Sequence, residues 1–142
     1  MEFLTADELR RIELKIAAAE MLTSAEFKII IAKHAWFGLK KKAQRLFRKY
    51  HLHKTEKHNA VLILVIEKDR QLLIYGDEGI HNKVGTAHWE IIRDTMLDNF
   101  RQEKFSEGIE LGTFLLANSL AEHFPADRNQ RNRLSNEIIF ES

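Results

Sequence analysis

Asn59-Ala-Val-Leu-Ile-Leu-Val-Ile-Glu-Lys-Asp-Arg70-Gln-Leu-Leu-Ile-Tyr75-Gly-Asp-Glu-Gly79 is the stretch whose reading decides the fold. Val61 to Ile66 is continuous and apolar, the pattern of a central strand buried on both faces. Glu67 to Arg70 is a tight polar turn, and Gln71 to Tyr75 is a second strand. A connection that short makes a β-hairpin, so the two strands run antiparallel. Gly76 to Gly85 follows as a loop with three glycines.

Upstream, Ser24 to His34 is a strand rich in β-branched residues, with Phe27, Ile29 and Ile31 alternating with Glu26, Lys28 and Ile30. Between it and the hairpin, Ala43, Leu46, Phe47 and Tyr50 fall at helical spacing. A helical connection of this kind makes the two strands it joins parallel and the crossover right-handed. His51 to His58 is a polar loop. Further out, Thr5-Ala-Asp-Glu8 is a capping box that opens a first helix over about 6–20, with Leu4 and Leu9 as its hydrophobic staple. Downstream, Thr86 is expected to cap a helix carrying Trp89, Ile92, Met96, Leu97 and Phe100. Ser106 is expected to cap another, carrying Ile109, Leu115, Leu116, Leu120 and Phe124 and stopping at Pro125. The order α-β-α-β-β-α-α makes an α/β fold. It is a three-layer αβα sandwich with a small mixed sheet and helices on both faces.

A length of 142 residues fits one domain. Residues 1–125 form it, and residues 126–142 read as a polar C-terminal tail ending in Ile138-Ile139-Phe140. Lys and Arg total 22 against 21 acidic residues, so no net field draws nucleic acid or an anionic membrane. The absence of cysteine excludes disulfides, thiolate metal sites and a thiol nucleophile. Charged residues among the first dozen break any signal-peptide core. The longest apolar run, Ala60 to Ile66, falls far short of the ~20 residues of a membrane span. The expectation is a cytoplasmic, unanchored monomer.

The topology gathers acidic residues. Two parallel strands place Glu26 and Asn59 at one edge of the sheet, and the antiparallel third strand returns Asp77 and Glu78 to that edge, beside His58. Oxygen ligands on a glycine-bracketed loop suit Ca²⁺ or Mg²⁺, and a cation relieves repulsion among carboxylates. Glu26, Asn59, Asp77 and Glu78 are therefore the candidate ligands of a divalent cation. The competing expectation is a turn with solvated acids.

At these residues the chain resembles the TPM family of thylakoid-lumen phosphatase-like proteins and their bacterial relatives. The resemblance is carried by Ser24-Ala-Glu26-Phe-Lys28, by Asn59 to Arg70, by Tyr75-Gly-Asp-Glu-Gly-Ile80, and by Phe100 to Gly112 with Phe105-Ser-Glu-Gly108. It spans about residues 3–125 and implies an αβα sandwich, divalent-cation binding in some members and phosphatase activity in plant relatives. Roles in photosystem repair or membrane-protein assembly attach to others. Two departures stand out: Ala25 and Ala60 replace glycines usual in the family, and His58 replaces an acid often found before the asparagine. The resemblance maps the family's polar edge onto Glu26, Asn59, Asp77 and Glu78.

Other features are weaker. His51, His53 and His58 have a spacing that gathers transition metals in some proteins, but scattered loop histidines are the commoner outcome. Lys40, Lys41, Lys42, Arg45, Arg48 and Lys49 form a basic helix face, suited to a phosphate or an acidic lipid but more often simply solvated. Trp36 and Trp89 are expected to anchor helices on the core. Asp69-Arg70 at the hairpin tip is expected to be structural. Gly112 inside a helix implies close packing. No nucleophile arrangement, phosphate-cradling loop or nucleotide fingerprint is present. The functional expectations are therefore a cation-binding module, a metal-dependent phosphatase, or an interaction module whose tail docks on a protein partner.

Overall fold

In the computed structural model, which describes residues 3–84, 87–127 and 134–142, the hairpin and its parallel neighbour form the centre of a mixed sheet. The strands are β1 (Glu26–Ala32), β2 (Ala60–Ile66), β3 (Gln71–Gly76) and β4 (Ile139–Glu141), in the order β3-β2-β1-β4. β1 pairs in parallel with β2, Glu26 opposite Ala60 and Ala32 opposite Ile66. β2 pairs antiparallel with β3 through a turn in which Arg70 adopts φ 54°. β4, an element not expected from the sequence, joins β1 in parallel through Ile30↔Ile139. Three residues inside a polar segment carry too little alternation to announce a strand.

Helices cover both faces. α1 (Ala6–Ala19), α4 (Ala87–Arg101) and α5 (Phe105–Leu120) pack on one side, with Phe27, Ile29, Ile31, Val61, Ile63 and Val65 beneath them. α2 (Leu39–Lys49) covers the other, over Ile30, Leu62, Leu64 and Ile66. β1 and β2 are buried along their whole length, as strands covered on both faces must be. Burying a Leu, Ile or Val side chain contributes roughly 1.5–3 kcal/mol, so this double layer holds most of the folding drive.

The helix ends follow local chemistry. Thr5 and Glu8 form the expected capping box at α1. The expected Ser106 cap is displaced: α5 starts at Phe105, and Ser106 Oγ donates to Glu110 Oε2 at 2.9 Å instead. The helix also ends at Leu120, short of Phe124 and Pro125. Thr86, the expected cap of α4, lies outside the described residues. A Cβ on Gly112 would sit 2.6 Å from Met96 Cε, so glycine there lets α4 and α5 approach closely. Trp89 is buried as expected, but Trp36 is 73% exposed in the loop before α2. Arg70 stacks its guanidinium over the rings of Phe105 and Phe3, at 4.4 and 5.5 Å, which gives the hairpin tip its structural role.

The C-terminal segment packs on its own chain. Lys28 Nζ donates to the carbonyls of Ser135 and Glu137 at 3.0 and 2.8 Å. Burial pushes the Lys28 ammonium below its ordinary pKa, against the opposing pull of Glu137 and Glu13. Glu141 accepts from the Tyr50 hydroxyl and pairs with Lys49 at 3.0 Å. Of the apolar run at the end of this segment, Ile138 enters the main core and Ile139 packs on the second, while Phe140 stays half exposed.

Candidate functional site

The start of β1, the start of β2 and the end of β3 meet at one edge of the sheet, as their directions require. Asp77 N donates to Ala60 O at 3.0 Å, which seats the residue after β3 against the first residue of β2. A short helix, α3 (Glu78–Lys83), then opens where an open loop was expected. Six residues interrupted by Gly79 carry no apolar periodicity from which a helix could be read. Asp77 caps this helix through Oδ1, which accepts from Glu78 N at 2.8 Å.

The two glycines that bracket Asp77-Glu78 are set by close approach. A Cβ on Gly76 would lie 2.8 Å from Trp89 Cη2 and 3.0 Å from Ile80 Cβ. A Cβ on Gly79 would strike the carbonyl oxygen of His58 and lie 2.7 Å from that of Lys57. Gly79 N in turn donates to His58 O at 2.9 Å. The turn before β2 and the start of α3 are thus locked together, and His58 is held in the left-handed region at φ 50°. An L-residue is uncommon there and is retained where the surroundings over-determine it.

This lock brings three of the edge residues into one group. His58 Nδ1 lies 3.5 Å from Asp77 Oδ2 and 3.9 Å from Glu78 Oε1. The Asp77 side chain is mostly buried and that of Glu78 is open to solvent. Asn59 is fully buried beside them in sequence, with its Nδ2 donating to Ser24 O at 3.1 Å. Two buried oxygens accept no hydrogen bond among the described residues: Oδ1 of Asn59 and Oδ2 of Asp77. Unsatisfied buried acceptors are rare and call for a partner such as water or an ion. Glu26 reaches the same edge and is buried, but its Oε1 accepts from Leu134 N at 2.8 Å. The C-terminal segment thereby engages a carboxylate that the sequence offered to a cation.

A cleft of ≈ 460 Å³ opens beside Asp77 and Glu78 and is lined also by Gln44, Arg48, His53 and His81. Arg48 arrives because α2 lies across the sheet face that the cleft adjoins, a rotation that spacing within the helix cannot reveal. His51 and His53 stand with ring centroids 6.3 Å apart. Among the described residues, no group of three or more His, Asp or Glu is placed to hold a metal ion, so the histidine spacing forms no metal group.

A family model for the TPM domain matches residues 1–118, which takes in every element from α1 to most of α5. The chain belongs to the TPM domain family. The BA42 protein from the psychrophilic bacterium Bizionia argentinensis is similar in structure, with a TM-score of 0.92 and 32% identity over 98% of this chain and 96% of that one. The N-terminal domain of a P. gingivalis protein shares the fold alone, at a TM-score of 0.74 and 15% identity over 91% of this chain and 83% of that one. No curated protein matches the chain. Among the described residues, no helix is long and apolar enough to cross a membrane.

Proposed function

We propose that this TPM domain binds a hard divalent cation, Ca²⁺ or Mg²⁺, at the edge built from Asn59, Asp77 and Glu78. The observation that carries the reading is the pair of buried oxygens that accept no hydrogen bond among the described residues, Asn59 Oδ1 and Asp77 Oδ2. Both are oxygen ligands of the kind hard cations take. Glu78 can close on the ion from the solvent side, and Glu26 stands behind it at the start of β1. Fewer than three acidic groups contribute, so water completes the shell and affinity is weak, on the order of 10⁻⁴ to 10⁻³ M. His58, in place of an acid, lowers the charge offered to the ion.

Asp77→Asn tests this cleanly, because asparagine also caps a helix and so preserves α3. Calorimetry with Ca²⁺ and Mg²⁺ is expected to give saturable heat for the native chain and none for Asp77→Asn, with both equally stable without metal. Absence of heat from the native chain, or equal heat from the variant, rejects the site.

A second reading, a metal-dependent phosphatase, is favoured by the cleft that Arg48, His53 and His81 line together with Asp77 and Glu78. A bound cation supplies Lewis acidity toward a phosphoryl oxygen, while the Arg48 guanidinium offers the planar donor set that phosphate prefers. Hydrolysis of p-nitrophenyl phosphate with Ca²⁺, Mg²⁺ and EDTA arms decides it. Turnover lost in both Arg48→Ala and Asp77→Asn supports the reading, and turnover unchanged in Arg48→Ala rejects it.

A further inference from the structure

The opposite edge of the sheet carries a feature that the cation site does not use. β1 ends at Ala32, roughly 20 Å from Glu26 by strand rise, and the chain then loops through residues 33–38 into α2. Trp36 and Phe37 sit at the tip of that loop, 73% and 87% exposed. Two consecutive large aromatic side chains so open to water are a cost to a protein with nothing to bind. Trp36 is held from behind by His34, whose ring centroid lies 4.3 Å away. The loop is tied down by Lys42 Nζ, which donates to His34 O and to Ser142 O at 2.5 and 2.7 Å.

The helix behind the tip is one-signed. α2 holds six cationic residues and no acid. Lys40, Lys41 and Arg45 are exposed next to the aromatic pair, and Lys33 is exposed on the other side of the loop. Lys40, Lys41 and Lys42 occupy the first turn, and the cap at Gly38 makes no side-chain hydrogen bond. Positive charge at a helix N-terminus opposes the helix dipole. The arrangement therefore works against the helix that carries it, which is the mark of a functional rather than a structural choice. Glu141, an acidic residue close to α2, is already engaged by Lys49 and Tyr50.

We propose that this tip is a docking surface for an anionic lipid bilayer, with Trp36 and Phe37 entering the headgroup region and Lys33, Lys40, Lys41 and Arg45 facing lipid phosphates. Tryptophan favours the membrane interface, and each basic side chain near an anionic surface adds attraction. A single-stranded nucleic acid would instead want ring faces spaced along a groove or an open sheet. Here both sheet faces are covered by helices. Docked this way, the domain holds its acidic edge away from the bilayer and open to solvent.

The test is flotation of the full chain with phosphatidylglycerol-containing vesicles and with phosphatidylcholine vesicles. A single-stranded oligonucleotide is titrated in parallel by anisotropy. Binding is expected to the anionic vesicles only and to fall with salt. Trp36 emission should shift to the blue while buried Trp89 stays constant. Lys40→Gln/Lys41→Gln is expected to weaken partitioning about 30-fold, on the order of fivefold per charge removed. Trp36→Ser/Phe37→Ser should weaken it at least tenfold, and Lys83→Gln, exposed in α3 at the other end of the sheet, should change it less than twofold. All four changed side chains in the first two variants are exposed, so folding is retained and circular dichroism verifies it. No anionic-vesicle binding at low salt, equal binding to neutral vesicles, native-like binding by either tip variant, or binding to the oligonucleotide alone each overturns the proposal.

Discussion

Gly79→Ala sets two physical effects against each other with opposite signs. Gly79 lies inside α3, where alanine is favoured over glycine by up to ~1 kcal/mol. Propensity alone therefore predicts a more stable protein. The surroundings predict the reverse. The added Cβ would strike the His58 carbonyl oxygen and stand 2.7 Å from that of Lys57. Both obstacles are backbone atoms, and neither can rotate away as a side chain can. Overpacking a filled site costs about 1–3 kcal/mol, and rigid obstacles put this case at the upper end. The net loss is about 2 kcal/mol, which for a domain of this size lowers Tm by about 6–8 °C. The displaced segment is the one that holds His58 against Asp77 and Glu78, so cation binding is expected to weaken with stability. Urea unfolding at constant m-value measures the first effect, and calorimetry with Ca²⁺ measures the second. A variant as stable as the native chain, or more so, refutes the close approach of α3 to the turn before β2.

Gly112→Ala should destabilise by about 1–2 kcal/mol, because the new methyl meets the buried Met96 side chain. In a Met96→Ala background the same Gly112→Ala change should cost less than in the native chain by thermal unfolding, and an equal cost in both backgrounds contradicts the pairing. Glu141 is held below its ordinary pKa of 4.5, chiefly by the Tyr50 hydroxyl and then by Lys49. Its contribution is therefore complete above pH 4.5 and is lost as pH falls through the lower folded-state value. The amide resonances of Ile139 and Phe140 should move toward random-coil positions over that acidic range, and should sit there at neutral pH in Glu141→Gln; unchanged shifts in the variant count against the contact. Lys28→Met removes two hydrogen bonds to Ser135 and Glu137. It should cost about 1–3 kcal/mol and speed proteolysis within residues 134–142, whereas native-like resistance would mean that Lys28 does not hold that segment.

Much of this fold was legible because its central strands advertise themselves. Val61 to Ile66 has no polar residue, which leaves a doubly covered strand as the simple reading, and the four-residue polar turn after it forces a hairpin. Strand directions then placed Asp77 and Glu78 at the edge that Glu26 and Asn59 share. What stayed hidden depends on contacts made across the fold. β4 is too short to show alternation. Glu26 looked available because nothing in its own strand reveals that Leu134 N binds it. Trp36 looked like a helix anchor, yet α2 starts three residues later, at Leu39 after Gly38 with φ 103°, and leaves the ring outside. Arg48 could be assigned to the basic face of α2, but the cleft that this face shares with Asp77 exists only once helix and sheet are packed.

The proposed cation site is tested most directly by following the backbone amides in a ¹H–¹⁵N titration with CaCl₂ and, separately, MgCl₂. Saturable shifts confined to Asn59, Asp77, Glu78 and Gly79 are expected, complete by roughly 10 mM and absent in Asp77→Asn. Shifts that grow linearly without saturating, or that fall equally on exposed acids such as Asp98 and Asp94, would contradict it.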